Sequence, residues 1–255
     1  MATYKKRGFK PKNKAEEQEL TEQESATAEV FSTLDESASK TEAWVAKNQN
    51  YILGFIGVVA VGVLGYLAYV QFVENPKESN AANEMYYPQQ YFDQALNSTT
   101  AKDSLFNLAL NGAEGKYGFL DIIDEYSGTK AANLANYSAG MAYLGMQKYQ
   151  EAISHLENFH SDDDILGALS EGGLGDAFMQ LGQPEDALGY YDKAIAHSSN
   201  DYTAPKFLYK AGVTALELDQ KEKALQYFLR IKDEYSSSDE ANTIDAFIGM
   251  AKSSN

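Results

Sequence analysis

Three stretches of this chain align residue for residue: GMAYLGMQKYQEAISHL at 140–156, GDAFMQLGQPEDALGYY at 175–191 and GVTALELDQKEKALQYF at 212–228. Each opens on glycine (Gly140, Gly175, Gly212). Each carries alanine twelve residues on (Ala152, Ala187, Ala224) and a large apolar residue four beyond that (Leu156, Tyr191, Phe228). The offsets between units are 35 and 37 residues. A longer echo frames them. Asp124-Glu125-Tyr126-Ser127 returns as Asp233-Glu234-Tyr235-Ser236, and Gly140-Met141-Ala142 as Gly249-Met250-Ala251, both 109 residues apart. Self-similarity at a period of roughly 20–50 residues marks a stack of like units.

The units read as helix pairs. Leu134, Tyr137, Met141 and Leu144 keep helical spacing in one segment, and Tyr149, Ile153, Leu156 and Phe159 in the next. Turn-forming runs separate the units at Ser161–Asp164, His197–Asp201 and Ser236–Ser238. A small residue lets two antiparallel helices touch, and a large one a turn later fills the gap. The spacing predicts repeats at 133–167, 168–204 and 205–238 and a capping helix at 239–253. A degenerate first repeat is expected at 79–131, with helices at Ala81–Asn97 and Lys116–Tyr126, broken by Pro88 and the Asn111–Gly115 loop. An all-α solenoid of about eight or nine helices follows.

This pattern resembles the tetratricopeptide repeat. Gly140-x-x-Tyr143 and Gly175-x-x-Phe178 fit that family's first helix, and Tyr149-x-x-Ala152 its second. The third unit departs at Ala215 and Lys221. Pro184 stands where tyrosine is usual, and the first-turn aromatic is displaced to Tyr137 and Tyr209. The resemblance implies a concave groove lined by first-helix residues: Tyr137, Met141, Leu144, Asp176, Met179, Gln180, Tyr209, Val213 and Glu217. Such an aromatic, methionine-bearing, acidic surface suits extended chains that are apolar or basic, and is unlike a basic clamp for a terminal carboxylate.

Upstream lies YILGFIGVVAVGVLGYLAYVQFV at 51–73, without one charge. At about 1.5 Å per residue its 23 residues reach roughly 34 Å, enough for a hydrocarbon core of about 30 Å. A cleaved signal peptide has a short charged start and an apolar run of roughly 7–15 residues. Here about fifty mostly polar residues come first, so an uncleaved single-pass anchor is expected. Lys5, Lys6, Arg7, Lys10, Lys12, Lys14, Lys40 and Lys47 precede it, while only Lys77 follows closely. Basic flanks stay in the cytoplasm, which places 74–255 outside. Gly54, Gly57, Val61, Gly65 and Ala68 share one helical face, the kind that packs against another helix in lipid. Residues 1–39 read as a disordered tail, and 40–50 as a short interfacial helix bearing Trp44.

Residues 74–255 hold 13 basic and 28 acidic side chains, which argues against a nucleic-acid partner. With no cysteine, disulfides and thiolate metal sites are excluded. His155, His160 and His197 form no metal-binding spacing, and Asp162-Asp163-Asp164 lacks the central glycine and closing glutamate of a calcium loop. Gly172-Gly173-Leu174-Gly175 sits inside a predicted helix rather than after a strand, so it is no phosphate loop. No serine occupies a nucleophile elbow. A non-enzymatic chain without cofactor or metal is expected.

The whole layout, over residues 40–255, resembles the YfgM-like ancillary subunits of the bacterial Sec translocon. That resemblance implies a bacterial inner-membrane protein with its N-terminus cytoplasmic and its repeat domain periplasmic. It would sit beside translocon subunits and a membrane-anchored chaperone or prolyl isomerase, and meet unfolded exported polypeptides or periplasmic chaperones. A repeat scaffold for outer-membrane biogenesis, cytochrome maturation or a secretion machinery shares the same fold and is the alternative.

Overall fold

The computed structural model describes residues 14–197 and 200–253, with side chains from residue 29 onward except 36. The basic start at Lys5–Lys12 lies outside the described residues. The chain divides into two units, 1–70 and 71–255. Among the described residues there is no strand, only an isolated bridge between Ala113 and Lys116.

Among the described residues the first unit carries one α-helix, α1, Lys14–Tyr69, of 56 residues. No glycine or proline interrupts it before Gly54, and its first half is rich in Glu, Gln, Lys and Ala, all strong helix formers. Within the described residues the expected division into a loose tail to residue 39 and a separate helix at 40–50 is not drawn: from Lys14 one helix runs on through residue 50. Uncharged length and helical propensity coincide at 51–69, where the side chains stand open. Tyr51 is 81% exposed and Phe55 72%. An apolar helix bare on every side matches a lipid environment, where its backbone groups are satisfied internally. This helix is long and apolar enough to cross a membrane.

A π-helical turn covers Val70–Glu74. The second unit then carries α2 (Asn75–Glu84), α3 (Tyr86–Asn97), α4 (Lys102–Asn111), α5 (Phe119–Glu125), α6 (Lys130–Gly145), α7 (Tyr149–Leu156), α8 (Leu166–Gln180), α9 (Pro184–His197), α10 (Ala204–Glu217), α11 (Lys221–Glu234), a 3-10 turn (Glu240–Thr243) and α12 (Ile244–Lys252). Helices α6/α7, α8/α9 and α10/α11 pair as hairpins, and each hairpin packs on the next.

The repeating glycine acts as a seat for the large residue of the partner helix. A Cβ built on Gly140 would lie 2.6 Å from Leu156 Cγ, on Gly175 2.5 Å from Tyr191 Cε1, and on Gly212 2.3 Å from Phe228 Cε1. Ala152, Ala187 and Ala224 are wholly buried. The hairpin turns repeat too. Gln147, Gly182 and Asp219 adopt positive φ (61°, 72° and 56°) at matching positions. Each turn closes with the same pair of bonds. In the first, Lys148 N–H donates to Tyr143 O and Gln147 N–H to Leu144 O; the equivalents are Gln183 to Phe178 with Gly182 to Met179, and Gln220 to Ala215 with Asp219 to Leu216. That is a Schellman stop, repeated in register.

The region before the regular repeats holds more helices than expected, so the second unit has eleven α-helices among the described residues rather than eight or nine. Helix breaks at Met85, α5 starts at Phe119 rather than Lys116, and α4 fills a stretch the periodicity had not assigned. Pro88 does not interrupt a helix. It is the third residue of α3, where its missing N–H removes no intrahelical bond. This region is anchored by Glu78, whose carboxylate accepts the N–H groups of Lys130 (2.8 Å) and Ala131 (3.2 Å) and so caps α6 from a distant helix. Phe106, Phe119, Ile122 and Ala139 are buried in its core.

Candidate groove on the repeat domain

A cleft of about 640 Å³ opens across the first helices of the repeats. Five of the nine expected groove residues line it: Met141 and Leu144 from α6, and Asp176, Met179 and Gln180 from α8. The spacing explains this. Met141 and Asp176, like Leu144 and Met179, are 35 residues apart, so one repeat puts each at the same place on its helix. The cleft also recruits Leu96 from α3, Lys102 and Phe106 from α4, Gln147 and Tyr149 from the first hairpin, Tyr191 from α9 and Lys210 from α10. Lys210 does not share Asp176's register: it lies 34 residues on, three short of the 37-residue offset, one helical turn before Val213, which is Asp176's counterpart. Leu96, Lys102 and Phe106 come from outside the regular repeats and carried no register signal.

The other four residues do not line this cleft. Tyr137 packs on Phe159 with ring centroids 5.2 Å apart, and burial raises its hydroxyl pKa. Tyr209 meets Phe247 edge-on at 5.0 Å. Val213 packs against the core, and Glu217 is exposed at the end of α10. Large aromatic side chains on repeat helices repay burial more than presentation, and these two are spent on packing.

Asp176 is committed to a structural link. Its Oδ1 accepts the Tyr191 hydroxyl at 2.8 Å, and its Oδ2 lies 2.6 Å from Lys210 Nζ. Burial first, and then the Asp176 charge and hydrogen bond, push the Tyr191 hydroxyl pKa far up. The three groups tie α8, α9 and α10 together. A second such link sits between α9 and α11, where Asp192 receives Tyr227 Oη and, at 3.0 Å, Lys223 Nζ. The acidic character expected of the groove is accordingly corrected. Asp176 is neutralised by Lys210, Lys102 adds a further positive charge, and Glu217 lies elsewhere. What the cleft offers is an apolar floor of Met141, Leu144 and Met179, backed by the buried Phe106, with the amides of Gln147 and Gln180 at hand.

The residues considered for chemistry are placed as follows. His155 Nδ1 is 3.1 Å from Asn136 Oδ1 and its ring stacks on Tyr143, and burial lowers its pKa. Asp163 caps α8, accepting from Ile165 N–H (2.9 Å) and Leu166 N–H (2.8 Å), which holds its carboxyl below the ordinary range. Gly172 lies within α8, where a Cβ would run into the Phe207 ring. Among the described residues no group of three histidine or acidic side chains is placed to hold a metal ion.

The tetratricopeptide repeat family matches residues 173–239, the stretch from mid-α8 through α11. Among solved structures, the TPR-like repeats of a Podospora anserina protein, provisionally assigned as a kinesin light chain, align at 13% identity. The alignment covers 68% of this chain and 85% of that one, with a TM-score of 0.49. No curated protein matches the chain.

Proposed function

We propose that the chain is a non-enzymatic, membrane-anchored adaptor whose repeat domain holds extended apolar segments of other polypeptides. The observation that carries this reading is the cleft: a methionine- and leucine-lined floor on stacked helix pairs, with Asp176 paired to Lys210 and Lys102 adding one positive charge to the lining. Methionine is unbranched and polarizable, so a Met-rich surface repacks around different sequences. Promiscuous binders use such surfaces. Gln147 and Gln180 carry both donors and acceptors and can pair with a passing backbone whatever its side chains.

In the fuller form of this reading the chain sits in a bacterial inner membrane, N-terminus cytoplasmic and repeat domain periplasmic. There it serves as an accessory subunit of the Sec translocon, beside a membrane-anchored chaperone or prolyl isomerase. Support comes from the excess of lysine before the anchor, the uncharged run at 51–73 and the resemblance in overall layout. The groove then takes exported chains while they are still unfolded.

The test is site-specific photocrosslinking from Met179 in native membranes, followed by identification of adducts and of proteins that co-purify in mild detergent. Adducts to exported polypeptides together with co-purified channel subunits are the expected result. Adducts confined to an outer-membrane assembly, cytochrome-maturation or secretion component would replace the translocon by that machine. Absence of any polypeptide adduct at Met179 would overturn the groove itself.

A further inference from the structure

The stack of helix pairs ends on half a pair. Gly249 lies 37 residues after Gly212 and so takes the seat position in α12. Gly140, Gly175 and Gly212 are covered by Leu156, Tyr191 and Phe228 of the following helix, but a Cβ on Gly249 meets nothing within 4 Å. The inner face of α12 is firmly held. Ile244, Ile248 and Ala251 are buried, and Phe247 meets the Tyr209 and Phe228 rings at 5.0 and 5.5 Å. The outer face is therefore fixed in direction. It continues the interface by which each earlier first helix receives its partner helix.

The last helix of a solenoid normally turns a polar face to water. Here the middle of that face is Ala246 and Gly249, both exposed, with Met250 beside them at 55% exposure. The charges stand along the other edge. Asp245 and Lys252 are seven residues apart, close to two helical turns, so they line up on one side of the glycine while Met250 lies on the other. The Asp245 side chain is 78% exposed although it receives Lys232 Nζ at 2.6 Å, and a carboxylate can accept a second donor. Lys252 has no ion-pair partner among the described residues.

This face is complementary to itself. A twofold axis passing beside Gly249 and perpendicular to α12 brings up a second α12 running antiparallel, the sense in which the two helices of each repeat meet. Asp245 of each copy then faces Lys252 of the other along one edge. Along the other edge each Met250 lies over the hollow left by the mate's glycine. An isologous interface requires one patch to carry both halves of every contact, and this patch does. We propose that α12 is a pairing surface for a second copy of this chain, with Gly249 at the crossing. With no side chain there, the helix axes can approach to about 8 Å, the lower end of ordinary helix packing.

Nine residues cannot bury the roughly 800 Å² per partner of a standard interface, so the pairing is weak. In dilute detergent the chain is monomeric and α12 is bare. Where anchors hold both copies in one membrane, the raised effective concentration favours the pair. To that extent the inference rests on 51–73 being an anchor. It shares no residue with the cleft.

The chain has no cysteine, so one introduced thiol reports on one place. Full-length Gly249→Cys, reconstituted in proteoliposomes and mildly oxidised, should give disulfide-linked dimer well above that from Gly189→Cys. Gly189 is the matched control, an exposed glycine of α9 whose added Cβ also meets nothing within 4 Å. In the Gly249→Cys background, Lys252→Glu sets like charges against each other at both edge contacts. The linked fraction should fall about fivefold or more, as two surface pairs change sign. Asp245→Lys should do the same with positive charges. Mixing the two variants restores opposite charges at both contacts and should recover linking, in mixed dimers alone. Asp245→Lys also loses its bond to Lys232; should that chain not fold, Lys252→Glu decides alone. Linking no better than at Gly189, linking indifferent to Lys252→Glu, or no recovery on mixing folded chains overturns the pairing. A Gly249→Cys chain that links in native membranes only to a different protein overturns it as well.

Discussion

Glycine does opposite work in the apolar half of α1, which we propose as the anchor, and in the repeat domain. A Cβ added to Gly54, Gly57 or Gly65 on α1 meets nothing within 4 Å. A Cβ added to Gly140, Gly175 or Gly212 meets the partner helix's leucine, tyrosine or phenylalanine at 2.3–2.6 Å. In the repeats the space left by the missing side chain is filled within the same chain. In the anchor it is empty. Lipid gives no hydrophobic drive for helices to associate, so small residues earn their place there by letting another backbone come close. In water the same smallness lets two amphipathic helices bury their faces against each other. One residue type thus reads as a completed contact in one region and, in our proposal, as an open one in the other.

The contrast can be broken most forcefully at its filled end. Gly175→Leu drives a branched side chain into the Tyr191 ring. Overpacking of a tight core costs about 1–3 kcal/mol and sometimes more, and here the ring is also held by Asp176. A large fall in melting temperature is expected, and an unchanged one would refute the seat. At the open end, Gly57→Leu with Gly65→Leu should leave the melting temperature of the repeat domain and membrane insertion alone, yet reduce co-purification of partners. Full recovery of partners would remove the packing face from consideration.

Alkali probes the same seat from within. The Tyr191 and Tyr227 hydroxyls have pKa values raised above the ordinary 10.0 by burial and by their aspartate partners. Raised values mean that the folded state holds these protons more tightly. Their contribution is present in full below pH 10 and is lost as pH climbs above it toward the folded values. Denaturant melts between pH 9 and 11 should show stability falling, and Tyr191→Phe should flatten the slope. The smallest effect, and one of opposite sign, belongs to Gly249. It occupies the repeat glycine's place in α12, but among the described residues no side chain fills it: a Cβ there meets nothing within 4 Å. Gly249→Ala should therefore stabilise by about 0.5–1 kcal/mol, the ordinary gain of alanine over glycine in a helix. Loss of stability would show that the terminal helix has an unseen neighbour.

Much of the repeat domain could be read before any coordinates. The Gly140/Leu156, Gly175/Tyr191 and Gly212/Phe228 pairs came from spacing alone, because each joins residues sixteen apart in a single hairpin. The region before the repeats was harder. Helix α4 has no counterpart at the repeat period, and Pro88 looks like a break until its place in the first turn of α3 is known. The lining of the cleft was legible by halves. Met141, Leu144, Asp176, Met179 and Gln180 follow from register. Whether Tyr137 and Tyr209 face a ligand or the core depends on Phe159 and Phe247, and helical periodicity does not distinguish those fates.

The sequence by itself determined the helical class, the repeat register, and an uncharged run long enough to cross a bilayer, because all three rest on local spacing and composition. Only the tertiary structure decided that Asp176 is locked to Lys210 and Tyr191, that Asp192 receives Tyr227 and Lys223, and that Phe106 from outside the regular repeats backs the cleft. Those outcomes depend on which side chains from separate helices arrive within hydrogen-bonding distance. That distance is fixed by how the helices pack, and no period in the chain encodes it.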